Sequence, residues 1–171
     1  MIEQSSFKKL RVFTKLILGK TAALEVQKAN GDFASSSRAG NFNIANSGTV
    51  LVLAAAKTLT REDSGKLITL DLAGGFTVTL PALEAGLRFR FSVATAPTTA
   101  YIIDSSEGDN ISGMILNRAG VAGVAADAED KINFVASQAI VGDSIEMVCD
   151  GTIWYVTGWA DVAAGITATD A

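Results

Sequence analysis

The sequence predicts an all-β protein: an antiparallel β-sandwich or jelly-roll-like body that carries an extended N-terminal arm. Three observations point there. Apolar and polar residues alternate with a period of two over three successive segments between residues 66 and 93. Turn signals built on Gly, Pro, Asn-Gly and Asp-Gly recur at a spacing of about ten residues. No capped amphipathic helix pattern occurs in the body. A period of two places alternate side chains on opposite faces of a pleated strand, so one face can be buried while the other is wetted. Short strands at this spacing build sandwiches, barrels and jelly rolls rather than parallel α/β sheets.

Residues 1–48 read as an arm with a hairpin and a linker. Residues 7–18, FKKLRVFTKLIL, mix basic and apolar side chains and fit a strand or one side of a short helix; periodicity leaves both open. Asn30-Gly31 lies between the extended segments Leu24-Glu-Val26-Gln and Asp32-Phe33. Asn-Gly is a strong hairpin signal because both central residues of a type I′ turn need positive φ. Residues 34–48, ASSSRAGNFNIANSG, are small and polar, which suits a flexible linker or a lasso over a neighbouring subunit.

The body spans residues 49–160. Ile68, Leu70 and Leu72 share one face of a strand, with Thr69 and Asp71 off it. Gly74-Gly75 turns the chain. Phe76, Val78 and Leu80 then alternate with Thr77 and Thr79 until Pro81 stops the strand. Leu87, Phe89, Phe91 and Val93 share the next apolar face, opposite Arg88, Arg90 and Ser92. Weaker strand signals lie at 101–103 and 110–116, and residues 117–130 read as a loop. Strands resume at 131–135 and 144–149, and Asp150-Gly151 reads as a two-residue hairpin into 152–156. Residues 161–171 read as a flexible tail.

Composition narrows the function. Of 171 residues, 49% are apolar and 19% charged, so part of the apolar surface is expected to face a partner. The net charge of -4 and the pI near 4.8 argue against nucleic acid, which needs clustered cations. The charge is uneven: Lys8, Lys9, Arg11, Lys15 and Lys20 face only Glu3 within the first twenty residues, and the remainder is acidic. A basic arm on an acidic body suits docking onto an acidic protein surface; a solvated strand face is the plainer reading. No apolar run reaches the length of a membrane span, and Arg11 and Lys15 break the stretch 10–19 as a signal-peptide core. The expectation is a soluble protein made in the cytoplasm.

Catalysis and cofactors find little support. Histidine is absent and Cys149 is alone, which removes the usual general base, a Ser-His-Asp arrangement, an intrachain disulfide and a thiolate metal cluster. No phosphate-cradling glycine motif occurs. Glu62 with Asp63, Asp104 with Glu107 and Asp109, and Asp127 with Glu129 and Asp130 are the candidate carboxylate groups for glycoside hydrolysis, and the 104–109 and 127–130 clusters are also candidates for Ca²⁺. All fall in expected loops, where solvation explains them, and none has the EF-hand register. The expectation is a non-enzyme with no cofactor and no metal. Trp154 and Tyr155 could offer rings to a sugar, but neighbours in a strand face opposite sides, so one is core and the other surface or interface. Arg88 and Arg90 share a face and suit bidentate pairing across a subunit boundary, or simple solvation. The candidate interface residues are Lys8, Lys9, Arg11, Lys15, Arg88, Arg90 and Trp154.

The runs GKLITLDLAGGFTVTLPALEAGLRFRFSV (65–93), DKINFVAS (130–137) and VGDSIEMVCDGTIWYVTG (141–158) carry a resemblance. With their TLP strand end, EAG turn and DGTIWYV hairpin, they resemble a module of tailed-bacteriophage virion proteins. These are capsid decoration (cement) proteins and the β-rich ends of phage fibres. The likeness covers residues 56–160 and leaves the first 48 unmatched. It implies a homotrimer that binds the major capsid protein or another virion protein on the capsid surface. A fibre or spike tip that binds a host glycan is the alternative it leaves.

Overall fold

A computed structural model describes residues 49–106, 108, 110–118 and 124–170, together with two short strands at 25–27 and 33–35. The chain divides into two compact units, Met1–Ile44 and Ala45–Ala171. In the first unit β1 (Glu25–Gln27) and β2 (Phe33–Ser35) pair antiparallel, with Gln27 opposite Phe33, on either side of the Asn-Gly signal. The turn itself, the segment 7–18 and the linker lie outside the described residues.

The second unit is a β-sandwich. Its strands are β3 (Val50–Leu53), β4 (Lys57–Thr58), β5 (Leu67–Leu70), β6 (Thr77–Thr79), β7 (Arg88–Val93) and β8 (Tyr101–Asp104), then β9 (Ile111–Asn117), β10 (Val124–Glu129), β11 (Lys131–Phe134), β12 (Ser144–Cys149), β13 (Trp154–Ala160) and β14 (Ile166–Thr169). One sheet has the order β10-β9-β13-β12-β7-β5-β3, and the other β14-β11-β8-β6-β4. Their inner faces meet in one core, where Phe89, Phe91, Tyr101, Phe134 and Trp154 are wholly buried. Each large side chain removed from water in this way contributes about 1.5–3 kcal/mol.

The all-β class holds, but the pairing is mixed where the sequence reading expected antiparallel, jelly-roll-like strands. From β3 to β8 the chain passes alternately from one sheet to the other. In consequence β3, β5 and β7 lie parallel in one sheet, and β4, β6 and β8 lie parallel in the other. Antiparallel β12 and β11 then flank β7 and β8 and end this winding. A period of two reports which face is buried, and it reads the same whichever way a neighbour runs. The link between β5 and β6 crosses between sheets instead of folding back as a hairpin. At its corner Gly75 has φ +65° and packs against the carbonyls of Thr99 and Ala100, so that no side chain fits there.

Three local readings are corrected. Residues 124–129, expected as loop, form β10 beside β9; beyond Val124 its apolar residues are all alanine, with Ala126 buried. The expected flexible tail contains β14, which pairs with β11 and buries Ile166 completely. Asp143, itself buried, helps to hold that segment by accepting the Asp161 N–H at 2.8 Å. The hairpin between β12 and β13 has a four-residue loop, because Asp150 Oδ1 accepts the N–H groups of Thr152 (2.8 Å) and Ile153 (2.9 Å). An Asp that caps its own turn in this way delays the strand to Trp154.

Tyr101 ties the two sheets together. Its buried hydroxyl accepts the Leu72 N–H at 2.9 Å and donates toward the carbonyls of Thr95 (2.8 Å) and Leu70 (3.2 Å). Tyr101→Phe keeps the ring against Phe76 but takes the hydroxyl from the Leu72 N–H and the Thr95 carbonyl, while the Leu70 carbonyl keeps the N–H groups of Ala94 and Thr95. The expected cost is about 1–3 kcal/mol, to be read from the urea midpoint at unchanged m-value; a shift below 0.5 kcal/mol would mean that water replaces the hydroxyl.

Candidate interaction surface

The outer face of the seven-stranded sheet is where alternation turns apolar side chains toward solvent. On β13, Trp154, Val156 and Ala160 point inward, so Tyr155, Thr157 and Trp159 point outward. The parallel register sets Thr157 beside Met114 and Trp159 beside Leu116 of β9. Trp159 is 62% exposed, Met114 53%, and Tyr155 49%. With adjacent strands about 4.8 Å apart, these side chains form one contiguous patch. On the other side of β13 the face becomes polar, with Ser144 beside Trp159 and Glu146 beside Thr157. Arg90 of β7 then lies opposite Glu146. Arg88 pairs with Glu146 at 2.9 Å. Both groups are well exposed, so this contact adds at most about 1 kcal/mol and mainly fixes side-chain direction.

Arg88 and Arg90 therefore share the outer face, as their parity predicts, and border the apolar patch. Trp154 does not belong with them. It is wholly buried against Phe89, with ring centroids 5.7 Å apart, and has no surface to offer a partner. Tyr155 is the outward ring of the pair, and its hydroxyl donates to Asp150 Oδ2 at 3.1 Å. The backbone N–H of Ile153, with the hydroxyl and N–H of Thr152, holds the Asp150 carboxyl down at about 2. That carboxylate in turn raises the Tyr155 phenol. Trp159, Met114 and Leu116 were absent from the sequence-derived candidates. The signal was the odd separation of Trp154 and Trp159, which forces the two indoles to opposite faces. Lys8, Lys9, Arg11 and Lys15 lie outside the described residues.

Two of the carboxylate candidates, Asp63 and Asp104, have local structural tasks. Asp63 is buried and receives Lys66 Nζ at 2.8 Å, Lys57 Nζ at 3.5 Å and the Thr60 N–H at 3.2 Å. Burial pushes its pKa up, but the Lys66 hydrogen bond, the Thr60 N–H and the two ammonium charges outweigh this and hold it below the usual aspartate range. Asp104 accepts the Ser106 N–H at 2.9 Å and shapes a turn. Glu107 and Asp109 lie outside the described residues, and among those described no three His, Cys, Asp or Glu side chains form a metal-holding group. Burial, followed by the Asp170 and Asp127 charges, raises Glu129.

A lowered aspartate pKa stabilises the fold above the unfolded value of 3.8 and loses that contribution as pH falls through the folded value. Asp63→Asn is therefore expected to cost about 1–2 kcal/mol at pH 7, between the limits for exposed and buried pairs. The difference from the unsubstituted protein should shrink below a pH of about 4. Urea midpoints across that range check it; a gap that stays constant into acid would dismiss the ion pairs as its source.

A comparison with protein-family models finds no family that matches the chain, and a comparison with curated proteins finds no match.

Proposed function

We propose that this protein is a structural virion component, a capsid decoration protein that stabilises a phage head by bridging capsid subunits. The observation that carries the reading is the outer face of the seven-stranded sheet, where Met114, Leu116, Tyr155 and Trp159 lie together in solvent on a rigid, core-backed support. An exposed indole anchor amid apolar neighbours, bordered by Arg88, Arg90 and Glu146, has the make-up of an interface centre with its polar rim. The mechanism is mechanical. Burying this face across two capsid subunits adds its desolvation free energy to the work of separating them. The resemblance of residues 65–93, 130–137 and 141–158 to decoration and fibre modules supplies the virion setting, the major capsid protein as partner and the homotrimeric state. The reading needs no cofactor and no catalytic residue.

The test is binding to emptied capsids. The protein is expected to raise the capsid melting temperature, and the pair Trp159→Asp with Met114→Asp to abolish that rise while remaining folded. A stable monomer without affinity for any capsid would end this reading. One feature favours a glycan-binding fibre tip as second reading: Tyr155 and Trp159 share a strand face about 13 Å apart, with polar Thr157 between them. Glycan-array signal lost in Trp159→Ala and Tyr155→Ala would select it; silence on host glycans would remove it.

A further inference from the structure

The two sheets have four edge strands, β10, β3, β14 and β4. Open edges invite pairing with other chains, and proteins usually blunt them. Strand β10 has an irregular register between Ala126 and Glu129, positive φ at Ala128 and two acidic residues, Asp127 and Glu129. Strand β14 lies beside β10. Strand β4 has two residues, and its Lys57 is tied to Asp63. Strand β3 has none of these devices. Residues 49–56 read TVLVLAAA, without charge, Pro, Gly or bulge, and Val50 and Val52 are 57% and 59% exposed.

The backbone of β3 presents a defined set of groups. Thr49 and Leu53 direct their carbonyls to β5, accepting the N–H groups of Leu67 at 3.0 Å and Asp71 at 2.8 Å. Successive residues of a strand turn their hydrogen-bonding groups to alternate sides. Val50 and Val52 therefore direct N–H and C=O away from β5, to the side where no described strand takes them.

We infer that β3 is a self-pairing edge, at which the β3 strands of two copies join antiparallel about a twofold axis through Leu51. In that register Val50 faces Val52 of the second copy, and the two residues exchange both hydrogen bonds. Its symmetry mate repeats the exchange, and the four exposed valines become one apolar cluster on the outer face. Leu51, partly exposed, meets its own copy at the closer, non-hydrogen-bonded position. Charge selects a second copy as the occupant. The protein has net charge -4, and the uncharged run 49–56 is a surface on which two copies meet without like-charge repulsion. A charged peptide finds no counter-charge on that run, whereas another β3 matches it in length, polarity and pattern. Four residues per copy make a small contact, far below a standard interface, so it gains importance where copies are crowded. The pairing is separate from the threefold association proposed above and does not depend on it.

The full-length chain serves for the test. Sedimentation velocity over a concentration series is expected to show reversible self-association. Val50→Lys with Val52→Lys should weaken it by at least about tenfold at unchanged melting temperature. Leu51→Cys places two thiols at a spacing that suits a disulfide, and the native Cys149 is buried. This variant should oxidise to a covalent dimer faster than the outer-face control Thr157→Cys. The inference is overturned if the chain stays monomeric at all concentrations, or if association ignores the lysine pair. It is equally overturned if Leu51→Cys links no faster than the control, or if cross-linking mass spectrometry finds residues 1–44 of the same chain seated on β3.

Discussion

Gly113→Ala is expected to prevent the body from folding, or to destabilise it by more than about 4 kcal/mol. Gly113 lies in the middle of β9, opposite Val156 of β13 on one side and Ala126 of β10 on the other. Its φ of +152° is one that side chains rarely adopt, and an added methyl group would run into the Val156 carbonyl oxygen. The obstacle is backbone in a central strand, so no side-chain rotation relieves it. The sheet can accept the methyl only by parting β9 from β13, the parallel joint that brings Met114 and Leu116 beside Thr157 and Trp159. Loss of the outer-face patch is therefore expected together with loss of stability. Far-UV circular dichroism and a thermal melt decide the matter. A folded variant that melts within a few degrees of the unsubstituted protein would show that this joint tolerates what its geometry forbids.

The same joint shows how far the sequence could be read. Burial was legible strand by strand: Ile68 and Leu70, then Phe89, Phe91 and Val93, face inward as alternation requires. Direction was not, because period two is blind to whether a neighbour runs parallel. The winding of β3 to β8 through both sheets depends on crossing links such as 71–76, which contain the same Gly-rich signals as a hairpin. Strands of small residues were also hidden. In β10 the inward residue is Ala126, and in β14 the inward pair is Ile166 and Ala168, too little apolar contrast to stand out from a loop or tail. For the candidate surface, Arg88 and Arg90 were legible from parity alone. Choosing the right tryptophan needed the strand to continue past Val156 to Ala160, and Gly158 concealed that continuation.

Substitutions of the two tryptophans are expected to give opposite phenotypes. Trp154→Ala removes a wholly buried indole that packs on Phe89 and leaves a cavity between the sheets, at a cost of about 3–5 kcal/mol. Trp154→Phe should cost less, because it fills part of that space and removes a buried indole N–H that has no hydrogen-bond partner. Trp159→Ala exposes no core and should change stability by no more than about 0.5 kcal/mol. It should, however, weaken attachment through the outer face, where an aromatic anchor typically accounts for 2 kcal/mol or more of binding. Urea denaturation and capsid binding, measured on the same three variants, separate these effects. If Trp159→Ala unfolds the protein, the outer face is part of the core. If it binds as well as the unsubstituted chain, the patch has no partner there. Only an intact fold with failed attachment makes this sheet face the working surface, since the two indoles are five positions apart and an odd step along a strand changes sides.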